Sequence, residues 1–128
     1  MPALPDVVRR SPARDEPVVV MVSRLPVTRW SAVPGFLRHS LRIHRALAEA
    51  PGLVVGGLDA RLGRREFWTY SVWDSRESLG GFVRTPLHRD AMTRFRDSLG
   101  DPVFATVDET AYVARDTWAA RRAVIQSP

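Results

Sequence analysis

The chain has 128 residues and a mass of 14.4 kDa, room for one domain around one hydrophobic core, and its 45% hydrophobic and 26% charged content excludes disordered, collagen-like and coiled-coil classes. Cysteine is absent, which removes disulfide frameworks, thiolate metal sites and cysteine nucleophiles together. The formal charge of +5 and the pI near 11.1 come from arginine alone; lysine and asparagine are missing and isoleucine occurs only as Ile43 and Ile125, so the basicity reflects GC-rich coding before it implies a polyanionic partner.

Residues 1–16 carry Pro2, Pro5 and Pro12 among mixed charges with no hydrophobic period, and are expected to form a flexible arm ahead of a domain over 17–115. Val18-Val19-Val20-Met21-Val22 is a β-branched run that predicts a strand covered on both faces. From Trp30 to Glu49 the period becomes helical, with Pro34 tolerated in the first turn and Pro51-Gly52 as the stop. Leu53–Leu62 and Glu66–Trp73 are two strands, and Gly63-Arg64-Arg65 is short enough to make them a hairpin. Asp74-Ser75-Arg76-Glu77 starts a broken helical segment that runs to Leu99, interrupted at Thr85-Pro86, with Thr85 as a cap for the second piece and Gly100 as the stop. The last strand is expected over Val103–Arg115, and a tail at 116–128 has little pattern.

This order of strand, helix, strand, strand, helix, strand is the ferredoxin-like βαββαβ plan of the α+β class, one antiparallel sheet with two helices on one face. The first and third strands are apolar on both faces, so the uncovered sheet face predicts a homodimer in which two sheets pack together. No apolar run approaches the roughly 18–20 residues that span a bilayer. Met1–Arg10 lacks a secretory pattern, so a soluble cytoplasmic protein without a membrane partner is expected.

Projected at 100° per residue, the first helix gathers Val33, Phe36, Leu37, Leu41, Ile43, Leu47 and Ala48 in one stripe with His44 and Ser40 near its centre. His39 falls toward the polar boundary. Over Leu87–Leu99 the same projection groups Leu87, Ala91, Met92, Phe95 and Leu99, with His88 among them. Two helices on one sheet face thus each point an imidazole inward, toward a strand carrying Trp68, Tyr70 and Trp73. Alternation divides that strand into Phe67, Thr69, Ser71, Trp73 and Trp68, Tyr70, Val72, without saying which set meets the helices. Buried histidines bonded to backbone are the plain reading. The functional one is an apolar, aromatic pocket in which a histidine is a general base and Tyr70 a donor.

Other constellations are weak. Gly56-Gly57 inside a strand indicates a bulge or close packing rather than a phosphate cradle. GxGxxG, P-loop, HExxH and GxSxG patterns are absent, so no metal site is expected. Asp108 and Glu109 point to opposite faces, one to solvent and one to an ion pair. Arg84 could clamp an anionic or phenolic group but is foremost a surface arginine. Arg38, Arg42 and Arg45 form a basic stripe on the exposed side of the first helix, with too little aromatic interleaving to predict nucleic-acid binding.

The stretch Phe67-Trp68-Thr69-Tyr70-Ser71-Val72-Trp73-Asp74-Ser75-Arg76-Glu77-Ser78-Leu79, followed by Phe82-Val83-Arg84-Thr85-Pro86-Leu87-His88 and Ala91-Met92, resembles the third strand and second helix of the dimeric α+β barrel superfamily. That superfamily includes antibiotic biosynthesis monooxygenases, polyketide cyclases and haem-degrading monooxygenases. The resemblance implies a homodimer with one pocket per subunit between sheet and helices. In its cofactor-independent monooxygenases, activated phenols react directly with oxygen among aromatic, tyrosine and arginine or asparagine contacts. The resemblance offers such roles to Trp68, Tyr70 and Arg84, and together with the pocket reading it gives the assignments expected here: an oxygenase or cyclase of natural product biosynthesis acting on an aromatic or polyketide-like molecule, with His88, His44, Tyr70 and Arg84 in catalytic roles and Trp68, Trp73, Ser40, Phe82 and Met92 contacting substrate. No cofactor is required. Haem held by His88 or His44 is the alternative, although the haem-degrading branch places its iron ligand about one helical turn later, where this chain has Met92. A non-catalytic ligand-binding dimer is the other.

Overall fold

Strand alternation and register decide which side chains meet. The computed structural model of the chain describes residues 3–126; Pro2 of the expected arm and residues 127–128 of the expected tail lie outside them. Strands β1 (Val7–Val8), β2 (Val18–Pro26), β3 (Leu53–Arg61), β4 (Glu66–Trp73) and β5 (Val103–Glu109) form one antiparallel sheet in the order β1-β3-β4-β2-β5. The helices are α1 (Val33–Ala46), α2 (Arg76–Val83), α3 (Pro86–Phe95) and α4 (Trp118–Gln126). This is the predicted α+β ferredoxin-like plan with two additions, β1 and α4.

Cross-strand pairs sort the two faces. Val19↔Trp73, Met21↔Ser71, Ser23↔Thr69 and Leu25↔Phe67 alternate with Val20↔Val72, Val22↔Tyr70 and Arg24↔Trp68. The Phe67 side carries α1 and α3, through a cluster of Phe36, Leu58, Ala60, Phe67 and Phe95, in which the Phe36 ring meets Phe67 edge-on at 4.7 Å. α2 closes the Trp73 end of that side with Leu79 and Phe82. Ser75 starts α2 as expected, its Oγ accepting from the Ser78 N–H at 3.1 Å. Thr85 occupies the N-cap position of α3, yet its hydroxyl donates backward to the Phe82 carbonyl at 2.7 Å and does not cap. Gly52 adopts φ +84 in the turn into β3, a conformation that favours glycine.

The opposite face is covered within the single chain. Val18, Val20, Val22, Trp68, Tyr70 and Val72 are buried there beneath Tyr112, Trp118, Val124 and Ile125. The bare face on which the dimer expectation rested is therefore occupied by α4. That helix escaped the sequence because two of its inward positions are arginines, which a hydrophobic count scores as polar: Arg121 is 4% exposed and stacks on Tyr70 and Trp118, 4.3 and 4.8 Å from the ring centroids.

The expected arm is tied to the sheet edge. Val7 and Val8 pair with Gly56 and Val55, and the Leu4 N–H donates to the Leu58 carbonyl at 3.1 Å. Strand β5 ends at Glu109, six residues short of the predicted Arg115, because Arg115 turns back to pair with Glu109 at 2.8 Å. Of Asp108 and Glu109 one was expected to face solvent and one to form an ion pair; both carboxylates are paired, since Asp108 binds Arg76 at 2.9 Å. Gly56-Gly57 is the close-packing site anticipated: a Cβ on Gly56 would lie 2.6 Å from Leu47, and one on Gly57 would lie 2.7 Å from Asp6 and 2.9 Å from Arg121. No helix among the described residues is long and apolar enough to cross a membrane.

Candidate functional site

Helices α1, α2 and α3 do not close fully on the sheet. They leave a cavity of about 160 Å³ with Ser23, Thr69, Ser71 and Trp73 on its floor and Phe36, Phe82 and Phe95 on its walls. Three imidazoles line it: His39 and His44 from α1 and His88 from α3. Ser40, Ala91 and Met92 are also at its boundary, and Phe104 of β5 contributes from the sheet edge. No arginine, aspartate or glutamate is among the lining residues.

The hydroxyls on the floor are already paired. Ser23 and Thr69 hydrogen-bond to each other, and the Trp73 indole N–H donates to Ser71 Oγ at 2.8 Å. The imidazoles differ: Nδ1 of His39, of His44 and of His88 is buried with no hydrogen-bond partner. His44 Nε2 lies 3.0 Å from the Pro5 carbonyl. Since a carbonyl only accepts, Nε2 carries the proton and Nδ1 is the free nitrogen. His39 packs edge-on to Phe95 at 5.1 Å and His88 to Phe82 at 5.8 Å, which fixes both rings. Burial lowers the proton affinity of His88, and burial together with Arg94, Arg42 and Arg38 lowers that of His39. Both are neutral near pH 7 and able to accept a proton.

The structure brings together His44, His88, Trp73, Ser40, Phe82 and Met92 of the residues predicted from sequence. It separates the others. Tyr70 and Trp68 belong to the opposite alternation set, so their side chains lie under α4. The Tyr70 phenol sits beneath Arg121, and burial followed by the nearby Tyr112 pushes its pKa up to about 12, Arg121 and Arg115 opposing. The Trp68 indole donates to Glu66 at 2.6 Å. Only the Tyr70 main chain can border the cavity, and its hydroxyl cannot act beside the histidines. Arg84 is exposed and folds back over α2, so close to Gly80 that a Cβ there would meet its guanidinium at 2.8 Å. It does not line the cavity.

His39 is the residue that helical projection set at the polar boundary; it is 8% exposed. The projection considers one helix against one surface, whereas α1 meets both the sheet and α3. That second contact widens the buried arc to include position 39. The available signal was Phe95, an aromatic residue on the inward face of α3.

A porphyrin does not fit these walls. About 160 Å³ is below the roughly 300–1,000 Å³ of ordinary ligand pockets, and the aromatic rings that bound the space are packed against one another. Among the described residues no group of three histidine, aspartate or glutamate side chains could hold a metal ion.

No protein-family model matches the sequence, and no curated protein matches it. The fold does match solved structures. A protein from Caulobacter crescentus assigned as an antibiotic biosynthesis monooxygenase is 18% identical, with a TM-score of 0.63 over 75% of this chain and 92% of its own. The cofactor-independent oxygenase SnoaB from Streptomyces nogalater is 20% identical, with a TM-score of 0.57 over 78% of this chain and 95% of its own. A haem-degrading enzyme from Listeria monocytogenes is 19% identical, with a TM-score of 0.58 over 80% and 67%. Against a protein from Lactobacillus acidophilus assigned as a monooxygenase, the chain spans 49% of that chain's length. The chain has the ferredoxin-like fold of the antibiotic biosynthesis monooxygenase-like proteins.

Proposed function

We propose that the chain is a small-molecule enzyme of the monooxygenase type, acting in the cytoplasm on a neutral, hydroxylated aromatic compound in the cavity beneath α1, α2 and α3. The observation that carries this reading is the set of three buried imidazoles, each with an unpartnered Nδ1, around an otherwise apolar space. Buried polar groups are ordinarily satisfied, and three exceptions lining one cavity suit a ligand that supplies the missing partners, a donor in the case of His44 Nδ1. With no charged side chain on the wall, a ligand that enters ionised would lose its hydration uncompensated.

A neutral imidazole in a dry pocket removes the proton of an activated phenol, and the resulting anion is the electron-rich species able to react with oxygen. His44 is well set for this step, because the Pro5 carbonyl holds its Nε2–H and orients the ring. Trp73, Phe82 and Met92 supply apolar contact. Ring closure of a polyketide-like substrate would need the same proton transfer, but a cavity of about 160 Å³ favours one- and two-ring compounds and therefore the oxygenase over the cyclase. The cofactor-independent oxygenase among the structural neighbours supports chemistry of this kind. Haem enters no step of it.

A second copy of the chain would meet the first along the β5 edge, where Val103, Phe104 and Val107 are exposed. The test of function is protein-dependent oxygen uptake across one- and two-ring phenols and hydroquinones. Turnover should occur with neutral hydroxylated compounds and fall about 100-fold in His44→Gln/His88→Gln, the lower range for loss of a general base. Binding without uptake by the unmodified protein would overturn the enzyme reading in favour of a ligand-binding one.

A further inference from the structure

A second concavity, of about 660 Å³, opens on the outer side of α1 and α3. Arg38 and Arg42 reach it from α1, Arg94 from α3 and Arg29 from the segment before α1, with Asp90 as the one carboxylate on its lining. Outside the cleft some arginines have close carboxylate partners, Arg24 with Glu66 at 2.9 Å, Arg115 with Glu109 at 2.8 Å and Arg122 with Asp59 at 3.1 Å, while others, such as the exposed Arg64 and Arg89, stand singly on open surface. In the cleft only Arg94 has a carboxylate, Asp90, at 3.8 Å. Among the described residues no acidic partner is found for Arg29, Arg38 or Arg42. Arg38 and Arg42 are also one helical turn apart, a spacing at which like charges repel. The cleft thus concentrates uncompensated guanidinium groups on a concave surface, the arrangement that attracts oxyanions.

His39 and Phe95 line this cleft and the apolar cavity alike. Their edge-on pair at 5.1 Å is shared wall between the two spaces, and the His39 side of it carries a buried nitrogen without a partner.

We infer that the cleft between α1 and α3 is a binding site for an oxyanion, a phosphate or carboxylate group of a small molecule, with Arg29, Arg38, Arg42 and Arg94 as its cationic contacts and His39 as its link to the cavity. The charged groups facing His39 are Arg38 and Arg42 on its own helix and Arg94 and Asp90 on α3. The three arginines disfavour its imidazolium and Asp90 favours it. An anion seated among the arginines offsets their field, so His39 binds a proton more readily when the cleft is filled. Occupancy of the outer site would thereby change a proton-handling group on the inner one.

The test follows the His39 ring by NMR while inorganic pyrophosphate, citrate or chloride is added to the full-length protein at constant ionic strength. Pyrophosphate or citrate should move the His39 titration midpoint upward saturably, with the better of the two identifying the phosphate or carboxylate source. Arg38→Gln/Arg42→Gln should weaken that anion at least tenfold. Arg64→Gln/Arg89→Gln, which removes the same charge at exposed positions outside the cleft, should change it less than twofold. A midpoint that moves equally with chloride, or affinity lost equally in both double variants, would overturn the site and leave only general screening. A short DNA duplex that shifts His39 where neither small anion does would overturn it too, assigning the arginines to a nucleic-acid surface. Because the probes carry no apolar part, failure here leaves the oxygenase reading untouched, and failure of that reading leaves this one.

Discussion

The Asp6 carboxylate accepts two hydrogen bonds from the Arg121 guanidinium, at 3.0 and 2.5 Å, across 115 positions of sequence. The pair sits over Gly57, where a Cβ would meet both partners, and Arg121 also donates to the Arg115 carbonyl at 2.8 Å. One residue earlier, the Pro5 carbonyl takes the His44 Nε2–H. Consecutive residues of the N-terminal segment therefore join the α1 layer to the α4 layer around the sheet edge. Removing a single partner from a buried ion pair costs about 3–5 kcal/mol; Asp6 is 29% exposed, so Arg121→Ala should cost about 2–3 kcal/mol. Denaturant unfolding measures it, and a midpoint equal to that of the unmodified chain would contradict the clasp.

Gly57→Ala tests the same contact from below. The added methyl meets Asp6, Arg121 and, at 3.2 Å, Trp118, an overpacking expected to cost about 1–3 kcal/mol. Gly63→Ala, with open space around its Cβ, is the matched control and should be near neutral.

Tyr70→Phe distinguishes the two sheet faces. The hydroxyl is buried without a hydrogen-bond partner, so its removal should change stability by no more than about 1 kcal/mol and leave oxygen uptake intact. The phenol itself should titrate at about 12 by ultraviolet difference absorbance. Loss of turnover in Tyr70→Phe with an unchanged unfolding midpoint would place Tyr70 in the chemistry after all.

Stability should depend on pH through His39 and His88. Burial lowers the proton affinity of both in the folded chain, and the neighbouring arginines lower that of His39 further. The unfolded chain therefore binds more protons below about pH 6.5, the ordinary histidine value. Stability is full above that pH and declines as pH falls from it toward the lowered folded values. His39→Gln/His88→Gln should flatten the decline between pH 7 and 5, measured as the thermal midpoint. An equally steep decline in the double variant would show that these histidines are not its source.

The β5 edge bears on assembly. Phe104 is 63% exposed, beside Val103 and Val107, on a strand with one unpaired edge, a liability usually relieved by pairing. Light scattering should give about twice 14.4 kDa, reduced to the single-chain mass by Val103→Lys/Val107→Lys. A single-chain mass for the unmodified protein at micromolar concentration would rule the assembly out.

The sheet and α1, α2 and α3 were legible because their signals are local: β-branched runs, a helical period and glycine or proline stops. The inward histidines of α1 and α3 followed from the same period. What stayed hidden depends on long-range contacts. Val7 and Val8 become a strand only by pairing with β3, and α4 is held by arginines stacked on aromatic rings. Trp68 and Tyr70 were placed beside the histidines because alternation identifies two faces without ranking them; α4 takes the face they occupy. His39 was missed for a related reason, since α3 extends the surface that α1 buries.

The central claim is that three imidazoles face one small neutral aromatic ligand. Imidazole nitrogen chemical shifts, recorded while 1-naphthol is added under anaerobic conditions, test it most directly. The account predicts saturable shifts at Nδ1 of His39, His44 and His88, with the ring signals of Tyr70 and Trp118 on the opposite face unmoved. Saturable shifts at Tyr70 and Trp118 with all three imidazoles unchanged would contradict it.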